Sequence, residues 1–294
     1  MTDRRVLLSF GHGYSARTLA RRLLAEGWRV IGTTRSAEKA QTLRFEGVEP
    51  VLSLAEAIER LHESTHLLIS AGPDAEGDPV LAACSPAIRD AAQDIEWVGY
   101  LSTTGVYGDR QGEWVDETSE CHPSTRRGKW RLAAEQAWQS IPGLPLHIFR
   151  LAGIYGPGRG PFSKVRNGTA RQIIKPGQVF SRTHVEDIAS VLQTSMAQPD
   201  PGAIYNVCDD LAAPPQDVLA YAAKLLGLPP PPEVDFETAD MSPMARSFYA
   251  ESKRVSNRRI REDLDVELAY PTYREGLAAL LAEDERSDLG RQPG

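Results

Sequence analysis

A glycine turn near the start of the chain does most to limit what the chain can fold into. Val6 to Phe10 (VLLSF) is a short apolar run of strand formers that stops at Gly11-His12-Gly13, and from Tyr14 onward the hydrophobic period changes. Ala16, Leu19, Ala20, Leu23 and Leu24 fall at i, i+3, i+4, i+7 and i+8. That spacing predicts an amphipathic helix from Tyr14 to Glu26, with Arg17, Arg21 and Arg22 elsewhere on its surface. Gly27 closes this helix at the C′ position, and Trp28 to Thr33 (WRVIGT) reads as a second buried strand. Strand, glycine turn, helix, glycine stop and strand within ~30 residues make a βαβ unit, for which a right-handed crossover is expected.

The turn itself reads G-x-G-x-x-A. Gly11 permits the tight turn, Gly13 lets backbone approach a pyrophosphate, and the small Ala16 lets the helix pack close to the strand. Free N–H groups at the helix start, aided by the helix dipole, then face phosphates. Gly11, His12, Gly13, Tyr14, Ser15 and Ala16 are therefore expected to cradle a dinucleotide, His12 through its backbone alone. A tight turn with no ligand would carry the same glycines; the complete strand–helix–strand setting favours binding.

The end of the second strand bears on which dinucleotide. An NAD site offers a carboxylate to the ribose 2′-hydroxyl about twenty residues past the glycines. Here the chain reads Gly32-Thr33-Thr34-Arg35-Ser36, with no acid before Glu38. Arg35 is suited to a 2′-phosphate and Thr34 or Ser36 to added hydroxyl contacts, so NADP is expected ahead of NAD. The alternative is that Arg35 is a solvated surface charge.

Strands and helices go on alternating. Helices are predicted over Leu54 to Leu61, Val80 to Asp94 and Lys129 to Ser140. Strands are predicted over His66 to Ser70, Trp97 to Thr103 and Leu146 to Leu151. The first of these strands ends at Ser70-Ala71-Gly72, which are expected beside the cofactor. The layout implies an α/β fold, a Rossmann-type doubly wound parallel sheet with a smaller, mostly C-terminal substrate lobe. With 294 residues there is room for both parts. Residues 1–152 and 177–207 are assigned to the dinucleotide-binding domain, 153–176 and 208–280 to the lobe, and 281–294 to a frayed polar tail. A glycine-proline cluster from Gly153 to Pro161 marks the change of regime, and Pro214-Pro215 and Pro229 to Pro232 read as rigid linkers.

Composition excludes several classes. A net charge of -7 argues against a nucleic-acid-binding surface. Cys84, Cys121 and Cys208 are odd in number and widely spaced, which fits neither a disulfide framework nor a zinc ribbon. No stretch reaches ~18 apolar residues and the N-terminal apolar run is too short for a signal peptide, so a cytoplasmic protein without a membrane span is expected.

Several segments together resemble the extended short-chain dehydrogenase/reductase family of nucleotide-sugar epimerases and dehydratases. They are Ser102-Thr103-Thr104-Gly105-Val106-Tyr107-Gly108, Arg150 to Gly158, Thr183-His184-Val185-Glu186-Asp187, Tyr205-Asn206-Val207 and Ser252 to Val255, in the family's order over nearly the whole chain. The resemblance implies a cofactor lying across the carboxyl ends of the strands, with its nicotinamide near Thr103 and the loop after Leu151. It puts the substrate between the sheet edge and the C-terminal lobe. It also places Thr103 where the family's catalytic Ser/Thr bonds the reacting oxygen; the alternative is a strand-end hydroxyl bonding local backbone. His184 and Asp187 match positions whose work in the family is structural.

The chain departs from the family at the catalytic Y-x-x-x-K pair. Reading back from Glu135, the Lys place holds Arg131 and the Tyr place Arg127, with Gly128 keeping the register. This is the pattern of an atypical branch lacking the Tyr/Lys pair. A guanidinium stays protonated at working pH, so Arg127 is no general base; it suits oxyanion stabilisation or a bidentate grip on an anionic substrate. Arg126, Arg127, Lys129 and Arg131 are accordingly an anion-binding candidate, against the alternative of solvated helix charges. Thr103, Arg127 and Arg131 are the expected catalytic residues.

The remaining candidates are weaker. His62 and His66 stand four apart but on different elements, and Cys121-His122 is adjacent, so no metal site is expected. Trp114, Trp130 and Trp138 read as packing groups. Two functions are carried forward. One is an NADP-dependent oxidoreductase or epimerase-like enzyme acting on a small, anionic or neutral, carbonyl or sugar-nucleotide substrate. The other is a catalytically inactive nucleotide-binding sensor or regulatory protein of the same fold. A monomer and a homodimer paired through the helices at Val80–Asp94 and Lys129–Ser140 are both compatible with the sequence.

Overall fold

A strand covered by helices on both faces has no polar side, and the runs VLLSF and HLLI are buried at every position. The computed structural model describes residues 5–289. Its first half runs β1 (Val6–Phe10), α1 (Tyr14–Ala25), β2 (Arg29–Thr33), α2 (Ala37–Phe45), β3 (Glu49–Val51), α3 (Leu54–Glu59), β4 (His66–Ile69), α4 (Pro79–Ala91) and β5 (Trp97–Thr103). A 3₁₀ turn over Thr104–Tyr107 follows, then β6 (Trp114–Val115), α5 (Arg126–Gln139) and β7 (Leu146–Leu151). Next come β8 (Gly153–Tyr155), α6 (Phe162–Arg166), β9 (Gln172–Ile174), β10 (Arg182–His184), α7 (Val185–Ala197) and β11 (Ile204–Val207). The chain ends with α8 (Pro215–Leu225), β12 (Glu233–Asp235), α9 (Pro243–Phe248), β13 (Arg254–Val255), α10 (Arg258–Glu262) and α11 (Tyr273–Leu289).

Seven strands form one parallel sheet in the order β11-β7-β5-β4-β1-β2-β3. This is a Rossmann-type α/β fold. The chain winds outward from β1 through β2 to β3, then returns to the other side of β1 and winds the opposite way. The reversal between β1 and β4 opens a crevice at their carboxyl ends, the place where ligands bind in such sheets.

Alternation along the strands divides the core. Leu7 faces Leu19, Leu23, Ile188 and Leu192 of α1 and α7, while Val6, Leu8 and Phe10 face the layer holding Ile88 and Trp138 of α4 and α5. Beyond the sheet, β8 pairs with β10, β9 with β12 and β6 with β13, all in parallel. Tyr155, Phe162, Ala222 and Leu277 form a separate apolar cluster there, joining α6, α8 and α11.

Several expectations are corrected. Helix α2 and strand β3 were not foreseen, because α2 buries only Ala40 and Leu43 and β3 is three residues long. Helix α5 starts at Arg126 rather than Lys129, since Thr125 Oγ1 accepts the Gly128 N–H (3.1 Å) and caps it. Residues 281–289 continue α11 instead of fraying. Met1 to Arg4 and Gly290 to Gly294, which the expected domain and tail include, lie outside the described residues. Trp138 is wholly buried, but Trp114 is 61% exposed and is no packing group. Among the described residues no helix is long and apolar enough to cross a membrane.

Candidate functional site

The turn after β1 ties three strand ends together. Gly11 has φ +75°, and a Cβ there would lie 2.7 Å from the Ala71 nitrogen, so the position needs glycine on two counts. Its N–H donates to Thr33 Oγ1 (2.8 Å), the His12 N–H donates to Thr33 O (3.2 Å), and Ser70 Oγ donates to Gly11 O. Helix α1 then starts from an extended Gly13 with no side-chain cap and no acid in its first turn. The first-turn N–H groups of Tyr14, Ser15 and Ala16 have no partner within the helix and face the crevice. A dinucleotide pyrophosphate fits this cradle.

Side chains around the turn have separate work. The His12 ring is buried against Gly32, where a Cβ would come within 2.8 Å of it, and neither ring nitrogen has a hydrogen-bond partner among the described residues. Burial lowers its pKa from 6.5 to about 4, so the ring is neutral. Its side chain thus packs the floor of the turn, beyond the backbone role expected of it. The Tyr14 phenol donates to Pro157 O (2.9 Å) under the Arg159 guanidinium; burial first of all pushes its pKa up to about 12. It links α1 to the glycine-proline loop.

At the end of β2, Thr34 Oγ1 accepts the Ser36 N–H (3.3 Å) and Ser36 Oγ accepts the Lys39 N–H (3.3 Å) to cap α2. Arg35 between them is exposed and has no hydrogen bond or ion pair among the described residues.

On the far side of the crevice, Arg131 reaches from α5 to the ends of β4 and β5. Its Nη1 donates to Leu101 O (2.8 Å) and Tyr100 Oη (3.3 Å), and Nη2 lies beside Gly72. Ser70, Ala71, Gly72 and Arg131 therefore line one mouth. The other basic residues of α5 do not join it: Arg126, Arg127 and Lys129 are exposed, and Arg126 lies over the Trp130 ring. Helix α5 packs closely on the 3₁₀ turn, where a Cβ on Gly128 would meet Gly105 O at 2.8 Å. Thr103 Oγ1 accepts the Gly105 N–H (3.1 Å), the local bond weighed above, and its own hydroxyl hydrogen stays available.

Beneath Thr103 lies a buried polar network that the sequence did not single out. Ser102 Oγ donates to Glu135 Oε1, and Arg150 pairs with Glu135 Oε2 through Nη2 (2.8 Å) and Nε (3.3 Å). Arg150 Nη1 donates to the Tyr107 phenol (3.0 Å), which donates to Asn206 Oδ1 (2.8 Å). Glu135 and Arg150 are 1% and 5% exposed, and among the described residues each forms its ion pair with the other alone. Burial, first of all, pushes the Tyr107 phenol up to about 12. The available signal was that Ser102, Arg150 and Asn206 all fall inside the family-like segments.

His184 and Asp187 do structural work. His184 Nδ1 accepts the Glu186 N–H (3.2 Å) at the start of α7, and Asp187 accepts the N–H groups of Ala269 (2.8 Å) and Tyr270 (3.2 Å).

Over 95% of its length the chain superimposes, with a TM-score of 0.91, on 99% of a conserved protein of unknown function from Silicibacter pomeroyi DSS, to which it is 61% identical. The chain belongs to the family of that protein. It is also 29% identical over 274 residues to protein YeeZ of Escherichia coli K12, spanning 89% of this chain and 94% of that one. MoeE5, solved with UDP-glucose and NAD, shares the fold at 22% identity and a TM-score of 0.74, over 96% of this chain and 99% of its own. Other solved structures of the same fold are dehydratases and epimerases of nucleotide sugars, NAD-bound among them. No protein-family model matches the chain.

Proposed function

We propose that the protein is an NADP-binding oxidoreductase or epimerase-like protein that acts on a small carbonyl or nucleotide-sugar type substrate. The observation that carries this reading is the open polar surface around α1. Uncapped first-turn N–H groups, an exposed and unpaired Arg35 and no acid before Glu38 together suit a dinucleotide with a 2′-phosphate. Gly11 to Ala16 would hold the pyrophosphate, Arg35 with Thr34 the 2′-phosphate, and Ser70 to Gly72 with Arg131 the opposite wall.

Such a cofactor, when bound, supplies hydride chemistry. The chain's own part is to orient the reacting oxygen through the Thr103 hydroxyl and to place the Arg127 charge nearby. Residues 5–152 and 177–207 would form the cofactor domain, and 153–176 with 208–280 the lobe that selects the substrate. Side-by-side titration with NADPH and NADH, followed by nicotinamide fluorescence, tests the reading. Tighter binding of NADPH is expected; binding of neither sinks it.

A second reading, a nucleotide-binding sensor without chemistry, has one observation in its favour. Arg127 stands where the family-like pattern has tyrosine, and the phenols of Tyr100 and Tyr107 in the same layer are wholly buried. Conversion of any carbonyl substrate with oxidation of NADPH would rule it out.

A further inference from the structure

Arg182 opens β10 opposite Gly153 of β8, two residues beyond the carboxyl end of β7. Its Nη1 donates to the carbonyls of Phe180 (2.8 Å) and Ala213 (3.0 Å), which are themselves cross-bonded through their main chains. The guanidinium is thus fixed from one side. Its Nε and Nη2, with three N–H donors between them, have no hydrogen bond, and the residue forms no ion pair among the described residues. It remains partly exposed, so the free edge has a way out.

The surroundings are built against leaving such a charge alone. Burial disfavours it, and the offset from Asp209 is incomplete. Asp209 is itself 3% exposed, with Oδ1 accepting the Leu211 N–H (3.3 Å) and Oδ2 without a hydrogen-bond partner among the described residues. The adjoining wall is aromatic, with Phe180 edge-on to Tyr249 at 5.6 Å and Phe236 against Tyr249 at 5.4 Å. The other cations there are engaged: Lys175 bonds Tyr249 O, and Arg246 bonds Phe236 O and Ala239 O.

We infer that Arg182 seats an anionic group of the substrate, a carboxylate or a phosphate, gripped by Nε and Nη2 through two oxygens. The inference rests on the proposed cofactor-and-substrate reading only in taking the anion to be part of a substrate. It moves the anion seat away from the exposed charges of α5 to the free edge of Arg182 on β10, on the side of Tyr249.

The test is calorimetric titration of the NADPH-saturated protein with inorganic pyrophosphate and, separately, with malonate. The wild type should bind at least one. Arg182→Met should weaken that binding ~10–100-fold, with Arg182→Lys between, because a point charge replaces a fork. NADPH affinity should not change in either variant. A response to pyrophosphate alone assigns a phosphoryl group, to malonate alone a carboxylate. Absence of binding to the wild type, or equal affinity in wild type and Arg182→Met, overturns the inference; if the Met variant does not fold, the Lys variant decides. Failure of the cofactor reading shows separately, as no NADPH binding to the wild type. The same comparison of wild type and variants in cofactor-free protein then judges Arg182 alone.

Discussion

Under α1 the carboxyl ends of β1, β2 and β4 leave polar groups open, whereas under α5 the ends of β5 and β7 close theirs upon one another. The first region has an uncapped helix start, a neutral His12 with two unpartnered nitrogens and an unpaired Arg35. The second has Ser102, Glu135, Arg150, Tyr107 and Asn206 bonded in a chain. One sheet edge therefore carries both solutions to the problem of polar groups at strand ends. Matched groups hold a shape, and unmatched donors wait for a ligand.

Breaking the closed region should have the largest effect. Glu135→Gln leaves the Arg150 guanidinium buried without its counter-charge, which costs about 3–5 kcal/mol in such settings. Urea unfolding should report a loss of that order, with the slope unchanged. A loss below ~1 kcal/mol would mean that the network does not brace the sheet, and the contrast between the two regions would fall.

The open region should show itself in acid. Burial lowers His12 from 6.5 to about 4, so the unfolded chain takes up a proton on that ring before the folded protein does. Stability linked to His12 is therefore complete above pH 6.5 and is lost as pH falls toward 4, by up to about 3 kcal/mol. His184, also lowered to about 4 by burial, adds to this loss. Asp187 and Asp209, which burial raises to about 6 and about 7, work in the opposite sense. Comparing wild type with His12→Gln cancels those three. The difference in unfolding free energy should change by a few kcal/mol between pH 6.5 and 4, and parallel curves would refute the assignment.

Arg35→Asp should weaken NADPH binding ~10–100-fold, the scale of one or two charge-assisted bonds. NADH binding should hold or improve, since the new carboxylate can meet a 2′-hydroxyl. Equal weakening of both cofactors would remove the 2′-phosphate from this corner of the site.

The open region was the legible one. Its chemistry lies within residues 6–36, where glycine spacing, the change of hydrophobic period and the missing acid sit side by side, and β1, α1 and β2 form where the pattern puts them. The closed region was not legible. Tyr107 and Asn206 are 99 positions apart, and Ser102 and Glu135 are 33 apart. They meet only after the order β11-β7-β5 has been set, and no local pattern encodes that order. Arg182 was hidden for the same reason. It stands next to the Thr183 to Asp187 segment, but its isolation appears only when Phe180, Ala213 and Tyr249 surround it. Within the basic run on α5 only the structure singles out Arg131, since spacing on a helix says nothing about which cations find a carbonyl.

Thr103 sits at the junction of the two regions, and its replacement should have the smallest effect on stability and the most informative one on function. Its Oγ1 caps the 3₁₀ turn through the Gly105 N–H, directly above the Ser102–Glu135 bond. Thr103→Ala removes one cap and should cost about 1 kcal/mol, read as a small drop in melting temperature. Thr103→Ser keeps the acceptor and should restore most of that loss. If the hydroxyl also touches a reacting oxygen, the Ala variant loses turnover on any substrate that wild type converts, by ~10²-fold, while NADPH affinity stays level. Turnover equal to wild type in the Ala variant would make Thr103 part of the closed region alone, a turn cap with no share in the chemistry. The reacting oxygen would then have to be held by another donor, and the Arg131 Nη2 beside Gly72 is a side-chain group that qualifies.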